Sequence, residues 1–433
     1  MKVGIVSLGC CKNLVDSEIM LGVLNKEGFE ITFRAEEAEI VIINTCAFIE
    51  GAQQEAIDTI LEFASYKETH LKKLIVTGCL SQRYKEEVLA LLPEVDAVVG
   101  IDEIEKIGEI IKSDEKFFVG KGCGAYPEGT HRILATPPYT AYLKIAEGCD
   151  NNCTYCAIPF IRGPFRSRKM EDILSEAETL AKSGVEEIIV VAQDTTRYGE
   201  DIYGEGKLSH LLKELCRIEG FHWIRVLYTY PERLSDEVLK VMAEEEKIVK
   251  YFDIPIQHIS YTVLKRMGRK SSGESIIKLI EKIRKNLPDA TIRTSLIAGF
   301  PGESEEDFEK LYNFVKETRF SRLGVFAYSK EEGTPAEKLS GHLPEEIKKE
   351  RADKIMLLQQ EISREYCKSF VGKEIEVLVE GAIGETYYGR SRGDAPDIDG
   401  RVYFLGGGDH LIGGFTKVLI KDSDEYDLKG ERI

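Results

Sequence analysis

The sequence predicts an α/β protein in three parts: an N-terminal open parallel α/β sheet, a central partial (β/α)6 barrel, and a small C-terminal antiparallel β-barrel of OB-like size. Three observations predict it. Short apolar runs alternate with helical patterns over most of the chain, as parallel strands joined by crossover helices require. A stretch dense in Gly and Pro, residues 119–140, interrupts that alternation. After Val371 the helical patterns stop, and short strands separated by glycines take over. At 433 residues the chain exceeds one ordinary core. The expected divisions are 1–118, a linker at 119–134, a barrel at 135–367 and a terminal domain at 368–433.

In the first part, Val3–Leu8 leads to Gly9-Cys10, Glu39–Ile43 to Asn44-Thr45-Cys46, and Leu74–Thr77 to Gly78-Cys79. Amphipathic stretches Asp16–Glu27 and Gln53–Tyr66 lie between them. Three strands therefore end in Cys at the carboxyl edge, where open α/β sheets bind ligands. A lone cysteine of this kind is ordinarily a small core hydrophobe. Three at equivalent strand ends could gather around one cluster. Cys11, Cys123, Cys216 and Cys367 lack this placement and are expected to be structural.

After the linker come six strand-like runs: Ala141–Glu147, Glu187–Gln193, Trp223–Thr229, Tyr251–Gln257, Ala290–Ala298 and Leu323–Tyr328. Helical patterns such as Glu171–Ser183 and Glu305–Glu317 separate them, and βα units repeating in this way close into a barrel whose site lies at the carboxyl ends of its strands. Glu345–Phe370 is a charged, apolar-striped helix expected to connect the barrel to the tail. In the tail, Glu374–Glu380, Thr386–Arg390, Val402–Leu405 and Phe415–Ile420 read as strands of a five-stranded barrel, with Gly406-Gly407-Gly408 and Gly413-Gly414 as turns.

The chemistry is concentrated after the first barrel strand, in Cys149-Asp150-Asn151-Asn152-Cys153-Thr154-Tyr155-Cys156. Structural zinc takes four ligands, usually as two separated pairs, and no fourth Cys or His lies close by. Three thiolates at C-x3-C-x2-C spacing can instead hold three irons of a [4Fe–4S] cluster. The fourth iron is left open for a small molecule, whereas an electron carrier uses four cysteines.

Composition narrows the setting. The formal net charge is −17, with 43% hydrophobic and 31% charged residues. Residues 1–130 hold 13 Lys and Arg against 23 Asp and Glu, and residues 371–433 hold 8 against 13, while the middle is near neutral. Acidic outer segments repel a phosphate backbone and attract basic proteins. The start, Met1-Lys2-Val3-Gly4-Ile5-Val6, reads as a strand and not a signal peptide. No apolar run approaches the ~20 residues that span a bilayer. Ten cysteines then point to a reducing cytoplasm and to ligands in place of disulfides.

Further motifs stand at the same barrel face. Leu296-Ile297-Ala298-Gly299-Phe300-Pro301-Gly302-Glu303 follows the fifth strand, and its glycines would let backbone approach a ligand. Gln193-Asp194-Thr195-Thr196-Arg197 ends the second strand and Pro255-Ile256-Gln257-His258 the fourth. His258 fits either a general base or a hydrogen-bonded strand-end histidine. Arg162, Gly163, Arg166 and Arg168 form a basic loop that would bind an acidic group or lie as a solvated face.

Taken together these residues resemble the methylthiotransferases of the radical S-adenosylmethionine (SAM) superfamily over essentially the whole chain. The resemblance implies an N-terminal cluster on Cys10, Cys46 and Cys79, and a SAM-binding cluster on Cys149, Cys153 and Cys156. It also implies a C-terminal TRAM barrel. Tyr155, Gln193, Gln257, Gly299, Pro301 and Gly302 are expected to face SAM. One SAM would supply a methyl group to sulfur and another a 5′-deoxyadenosyl radical. Ala192-Gln193-Asp194-Thr195-Thr196 and Pro255-Ile256-Gln257-His258 are similar to the branch that modifies the β-carbon of an aspartate in a small-subunit ribosomal protein. The alternative is the branch that modifies an adenosine in tRNA. Expected partners are a basic ribosomal protein, bound through acids at Asp394–Asp399 and Asp422–Asp427, and a flavodoxin- or ferredoxin-like electron donor. Two departures stand out: Cys11, where the family commonly has Pro, and Ile259, where a small residue is usual.

Overall fold

The computed structural model describes residues 1–122, 124, 129, 131–406 and 411–433. Cys123, Pro127 and the turn residues Gly407 and Gly408 lie outside the described residues.

Six parallel strands form the N-terminal sheet: β1 (Lys2–Ser7), β2 (Glu30–Thr32), β3 (Ile40–Thr45), β4 (Lys73–Gly78), β5 (Ala97–Val99) and β6 (Phe117–Phe118). They stand in the order β2-β1-β3-β4-β5-β6. The strands read as continuous apolar runs because helices cover both faces, and β3 is buried along its full length. Helix α1 (Cys11–Lys26) starts earlier than the amphipathic pattern suggests and is buried on nearly all sides, between its own sheet and the central barrel. A helix buried all round is normally apolar. This one buries Lys12, Asn13, Asp16 and Glu18, and the pairings described below make that possible.

The central unit begins with β7 (Thr140–Lys144), followed by the two-residue pair β8 (Ala146–Glu147) and β9 (Arg166–Ser167). Then come β10 (Glu187–Val191), β11 (Trp223–Val226), β12 (Tyr251–Asp253), β13 (Thr291–Ala298) and β14 (Arg322–Ala327). Strands β7, β10 and β11 pair in parallel, as do β12, β13 and β14. An isolated parallel bridge from Ile224 to Ile248 joins the two sets into one open, six-stranded partial barrel. The helix Glu345–Lys368 is more than a connector. It packs along β14 and the helix Glu305–Thr318, burying Ala352, Ile355 and Ile362, and so covers the end of the sheet.

The terminal domain is a closed barrel, β15 (Glu374–Ile383), β16 (Thr386–Ser391), β17 (Val402–Leu405), β18 (Phe415–Ser423) and β19 (Leu428–Arg432), in the order β15-β16-β17-β19-β18. The fifth strand falls in Leu428-Lys429-Gly430-Glu431-Arg432, which is too charged to read as a strand. Its pairing with β17 is parallel, the one exception among the described antiparallel neighbours.

One apolar layer runs through all three parts. It contains Val3, Ile19 and Met20 of the first, Tyr142, Ile189 and Trp223 of the second, and Leu378 and Ala395 of the third. Buried ion pairs reinforce it. Glu187, fully buried, receives Arg225 and Arg390 from opposite sides of the junction between the central unit and the terminal barrel. The linker is also anchored: Arg132 is buried against Glu18 and Glu176. Replacing Glu187 would remove the only carboxylate paired with the buried Arg225 among the described ion pairs, and one of the two paired with Arg390. Glu187→Ala is expected to cost roughly 3–5 kcal/mol in urea unfolding, whereas Arg364→Ala, which breaks an exposed pair with Glu425, is expected to leave the unfolding midpoint nearly unchanged.

Candidate functional site

The N-terminal cysteines sit where the strand pattern put them. Cys10, Cys46 and Cys79 follow β1, β3 and β4, three adjacent strands, at their carboxyl ends. Cys10 occupies the N-cap position of α1 and Cys79 opens the helix Cys79–Tyr84. Gly9 and Gly78 stand at φ +90° and +95°, a region side chains rarely adopt. A Cβ at Gly9 would lie 2.7 Å from the Cys46 Cβ, so the glycine is what lets the loops meet.

Asn13, fully buried, holds the three loops together. Its amide donates to the carbonyls of Leu8 and Thr45 at 3.1 and 2.9 Å, and its Oδ1 lies 3.6 Å from Cys79 Sγ. Cys11 is the first residue of α1, the position where Pro is most readily accepted in a helix. Its sulfur points to the Tyr228 hydroxyl at 3.8 Å.

The second set lies beyond β8. Gly148, at φ +77°, approaches Pro164 so closely that a Cβ would sit 2.1 Å from its carbonyl oxygen. Strand-end residues then brace the loop. Asp194 accepts from Asn151 at 2.8 Å, Arg233 donates to Asn151 at 2.6 Å, and Arg197 pairs with Asp150 at 3.1 Å. The Asp194 and Arg197 positions of the second-strand motif thus hold the cysteine loop. Cys153 Sγ lies 2.7 Å from the Tyr230 hydroxyl. Arg269 stacks over the Tyr230 ring at 3.8 Å.

Tyr155, Gln193, Gln257, Gly299, Pro301 and Gly302 have the following surroundings. Tyr155 packs edge-on against Phe300. Gln193 donates to Glu147, and its Oε1 is buried with no protein partner. Gln257 has φ +71°, a strained value for a side-chain-bearing residue, held there by bonds to Ser295 and Ile297 of β13. Gly299 and Gly302 have protein neighbours where a Cβ would be: Lys348 Cγ at 2.3 Å and Arg266 Cζ at 2.7 Å. The Gly299 and Phe300 amides donate to Glu303, and the Pro301 carbonyl accepts from Arg266. Packing within the protein accounts for both glycines.

His258 is fully buried, accepts from the Ser260 amide, and faces Glu303 at 3.4 Å. That is the strand-end alternative. Ile259 packs against Gly273, whose missing Cβ leaves it room.

Two arginines of the basic loop, Arg162 and Arg168, are buried in ion pairs, whereas Arg166 is half-exposed and donates to the Pro164 carbonyl at 2.8 Å. Arg162 is 2% exposed and pairs with Asp16 and Glu147, which also receive Lys144. Arg168 is buried against Glu176. Glu147 is held well below the usual carboxylate range; burial opposes this, and the Arg162 and Lys144 charges outweigh it. Sequence pattern missed this network because its members lie far apart along the chain.

Among the described residues no three Cys, His, Asp or Glu side chains converge on one ion position. A four-iron cluster spreads its ligands over separate irons. Within each set the thiols still act on one another electrostatically: Cys10 and Cys46 on Cys79, Cys149 and Cys153 on Cys156.

Residues 2–100 match the Uncharacterized protein family UPF0004, residues 143–315 the Radical SAM superfamily and residues 371–433 the TRAM domain. The protein named Ribosomal protein uS12 methylthiotransferase RimO of Acetivibrio thermocellus is 53% identical over 445 residues, covering 100% of this chain and 98% of its own. The protein of that name from Clostridioides difficile is 50% identical over 443 residues, again covering 100% and 98%. The chain belongs to the RimO methylthiotransferase family. Members of this family are radical SAM enzymes that use SAM and [4Fe–4S] clusters. In fold, this RimO-family chain is similar to the radical SAM methyltransferase TsrM from Kitasatospora setae, with TM-score 0.59 at 12% identity, covering 77% of this chain and 76% of that one. It is also similar to the cobalamin-dependent SAM radical enzyme OxsB, with TM-score 0.51 at 14% identity, covering 82% and 56%.

Burial pushes the Cys79 and Cys149 thiols up to about 11 from an ordinary 9.0. A thiol raised in this way stabilises the metal-free fold fully below pH 9, and that contribution is lost as pH climbs through about 11. The thiolate is the nucleophile. In metal-free protein, alkylation of Cys79 and Cys149 by iodoacetamide should therefore be slow at pH 8 and quicken as pH approaches 11. Peptide mass mapping reads it, and rates matching urea-unfolded protein at pH 8 would contradict the burial.

Proposed function

We propose that the enzyme transfers a methylthio group to the β-carbon of an aspartate in ribosomal protein uS12, in the cytoplasm. Cys10, Cys46 and Cys79 hold one cluster and Cys149, Cys153 and Cys156 the other. The observation that carries the reading is the presence of two sets of three cysteines, each beyond the carboxyl ends of strands, in a chain matching RimO proteins over its full length. The tRNA alternative is not favoured by those relatives.

The bound clusters and SAM would supply a sulfur–methyl donor at one edge and a carbon-centred radical at the other. The chain's own residues hold these sites at fixed separation and keep water out. Tyr155, Gln193, Gln257 and the Gly299–Gly302 turn are our candidates for contacting SAM. Gln193 offers its unpartnered Oε1. The turn, whose polar groups at Gly299, Phe300 and Pro301 are already bonded, offers shape.

The acidic recognition surface is smaller than the sequence suggests. Asp394 and Asp399 pair with Arg322 inside the domain junction. Glu425 pairs with Arg364, and Asp427 accepts the Arg401 amide. Asp397, Asp422 and Asp424 remain as exposed acids for a basic ribosomal protein, although Asp424 also reaches Lys429. A flavodoxin- or ferredoxin-like donor would supply the electron.

Reconstituted protein should hold about eight irons, four per set. Changing Cys149, Cys153 and Cys156 together to Ala should leave about four and abolish release of 5′-deoxyadenosine. Changing Cys10, Cys46 and Cys79 should spare that release and stop methylthio transfer. Continued methylthiolation in the second variant would make those three cysteines structural.

Asp422→Lys with Asp424→Lys should weaken uS12 binding without changing SAM cleavage. Wild-type binding should also fall as salt rises, since exposed charges are screened beyond about 8–10 Å. Tight tRNA binding with none of uS12 would return the tRNA reading.

A further inference from the structure

We propose that Arg162 is a positioning residue for the N-terminal cluster. It reaches from the radical-forming domain to a cysteine ligand of the neighbouring domain and raises that cluster's reduction potential. The inference rests on Cys10, Cys46 and Cys79 being cluster ligands.

Arg162 ends the helix Ile158–Arg162, which directly follows the Cys149–Cys156 loop. Its backbone belongs to the central unit, but its guanidinium does not stay there. Nη2 donates to Asn13 Oδ1 and lies 3.6 Å from Cys79 Sγ, both in the N-terminal domain. Nη1 meets Asp16 at 2.8 Å and Glu147 at 3.0 Å. One flat fork thus serves carboxylates on one nitrogen and a thiol on the other. An ammonium, a point charge, cannot reproduce that geometry.

The local charges decide the sign of the effect. Lys144 and Arg162 balance Asp16 and Glu147 in a buried junction. With those four cancelling, the guanidinium still presents an N–H and its share of positive charge to a thiolate ligand. Hydrogen bonds to cluster sulfurs and nearby charge are levers on cluster potential. Both favour the more negative, reduced form, so both raise the potential. Glu147 also receives Gln193 from the end of β10. A continuous bonded path, Gln193–Glu147–Arg162–Cys79, therefore links the SAM-facing strand ends to the other cysteine set.

A residue that only glued the domains together would alter stability and leave each cluster's potential alone. The test is a potentiometric titration of full-length protein carrying both clusters, followed by electron paramagnetic resonance. The wave missing from the Cys10→Ala/Cys46→Ala/Cys79→Ala protein belongs to the N-terminal cluster. In Arg162→Gln that wave should move to lower potential while the other stays in place. Arg162→Lys should fall between Arg162→Gln and wild type. Asp16→Asn, which removes an anion from the same guanidinium, should move the wave the opposite way.

An N-terminal wave unmoved by both Arg162→Gln and Asp16→Asn at full iron content would overturn the proposal, as would equal shifts of both waves. Should Arg162→Gln lose the cluster, Asp16→Asn decides alone, and an unmoved wave there overturns it. A wild-type protein with about four irons and one wave would instead sink the ligand reading on which this rests.

Discussion

The structure depends on a buried set of charges at the junction of its first two domains. Lys144 and Arg162 meet Asp16 and Glu147 with little solvent exposure. Burying four charges is expensive, and such a set is weak evidence for stability. Its contribution is register. Once buried, no member can shift without leaving another unpaired, at a cost of roughly 3–5 kcal/mol. The two strand edges that carry the cysteines are therefore locked to each other. A second clamp forms where Glu331, in the loop after β14, accepts from Arg83, Gln53 and the Glu50 amide. Two clamps between these domains leave little freedom to hinge.

Much of this was legible in the sequence, for reasons that are local. Parallel strands covered on both faces show as apolar runs, and a glycine before a cysteine marks a chain that must turn sharply at a strand end. Gly9-Cys10, Gly78-Cys79 and Gly148-Cys149 were readable on those grounds, and all three glycines have positive φ. The charge network was not readable. Lys144 and Asp16 are 128 residues apart, and Arg162 and Asp16 are 146 apart. Their sequence neighbourhoods look like ordinary solvated helix and loop. Arg162 and Arg168 were visible as a basic run, yet a run of charge does not say whether it faces water or a buried carboxylate.

The same limit explains the terminal barrel. Its acids were counted as surface charge, but Asp394 and Asp399 are consumed by Arg322, and Glu187 of the central unit consumes Arg390. Phe415 meanwhile lies against His222 and Trp223 at ring distances of 4.0 and 4.7 Å. The barrel is docked through charge and aromatic contact alike, so its net charge overstates what a partner meets. β19 escaped notice for a related reason. Closing a barrel removes edges whatever the composition of the closing strand, so a charged run such as Lys429–Arg432 can serve.

What separates the two cysteine edges is also informative. The segment Tyr228-Thr229-Tyr230 after β11 touches both, Tyr228 at Cys11 and Tyr230 at Cys153. Lys12 stands 3.1 Å over the Tyr228 ring and Arg269 3.8 Å over the Tyr230 ring. Burial raises the pKa of both phenols well above the usual range, and nearby thiols add to it. Both therefore stay protonated. A protonated phenol can donate a hydrogen bond toward sulfur, whereas a phenolate would repel a thiolate. Both rings thus bring a hydroxyl proton and an apolar face to residues beside the cysteines. Such cover limits the entry of competing reactants to a reactive site. The charges that lock the first two domains and the aromatics that touch both cysteine loops act together: one fixes register and the other supplies apolar cover.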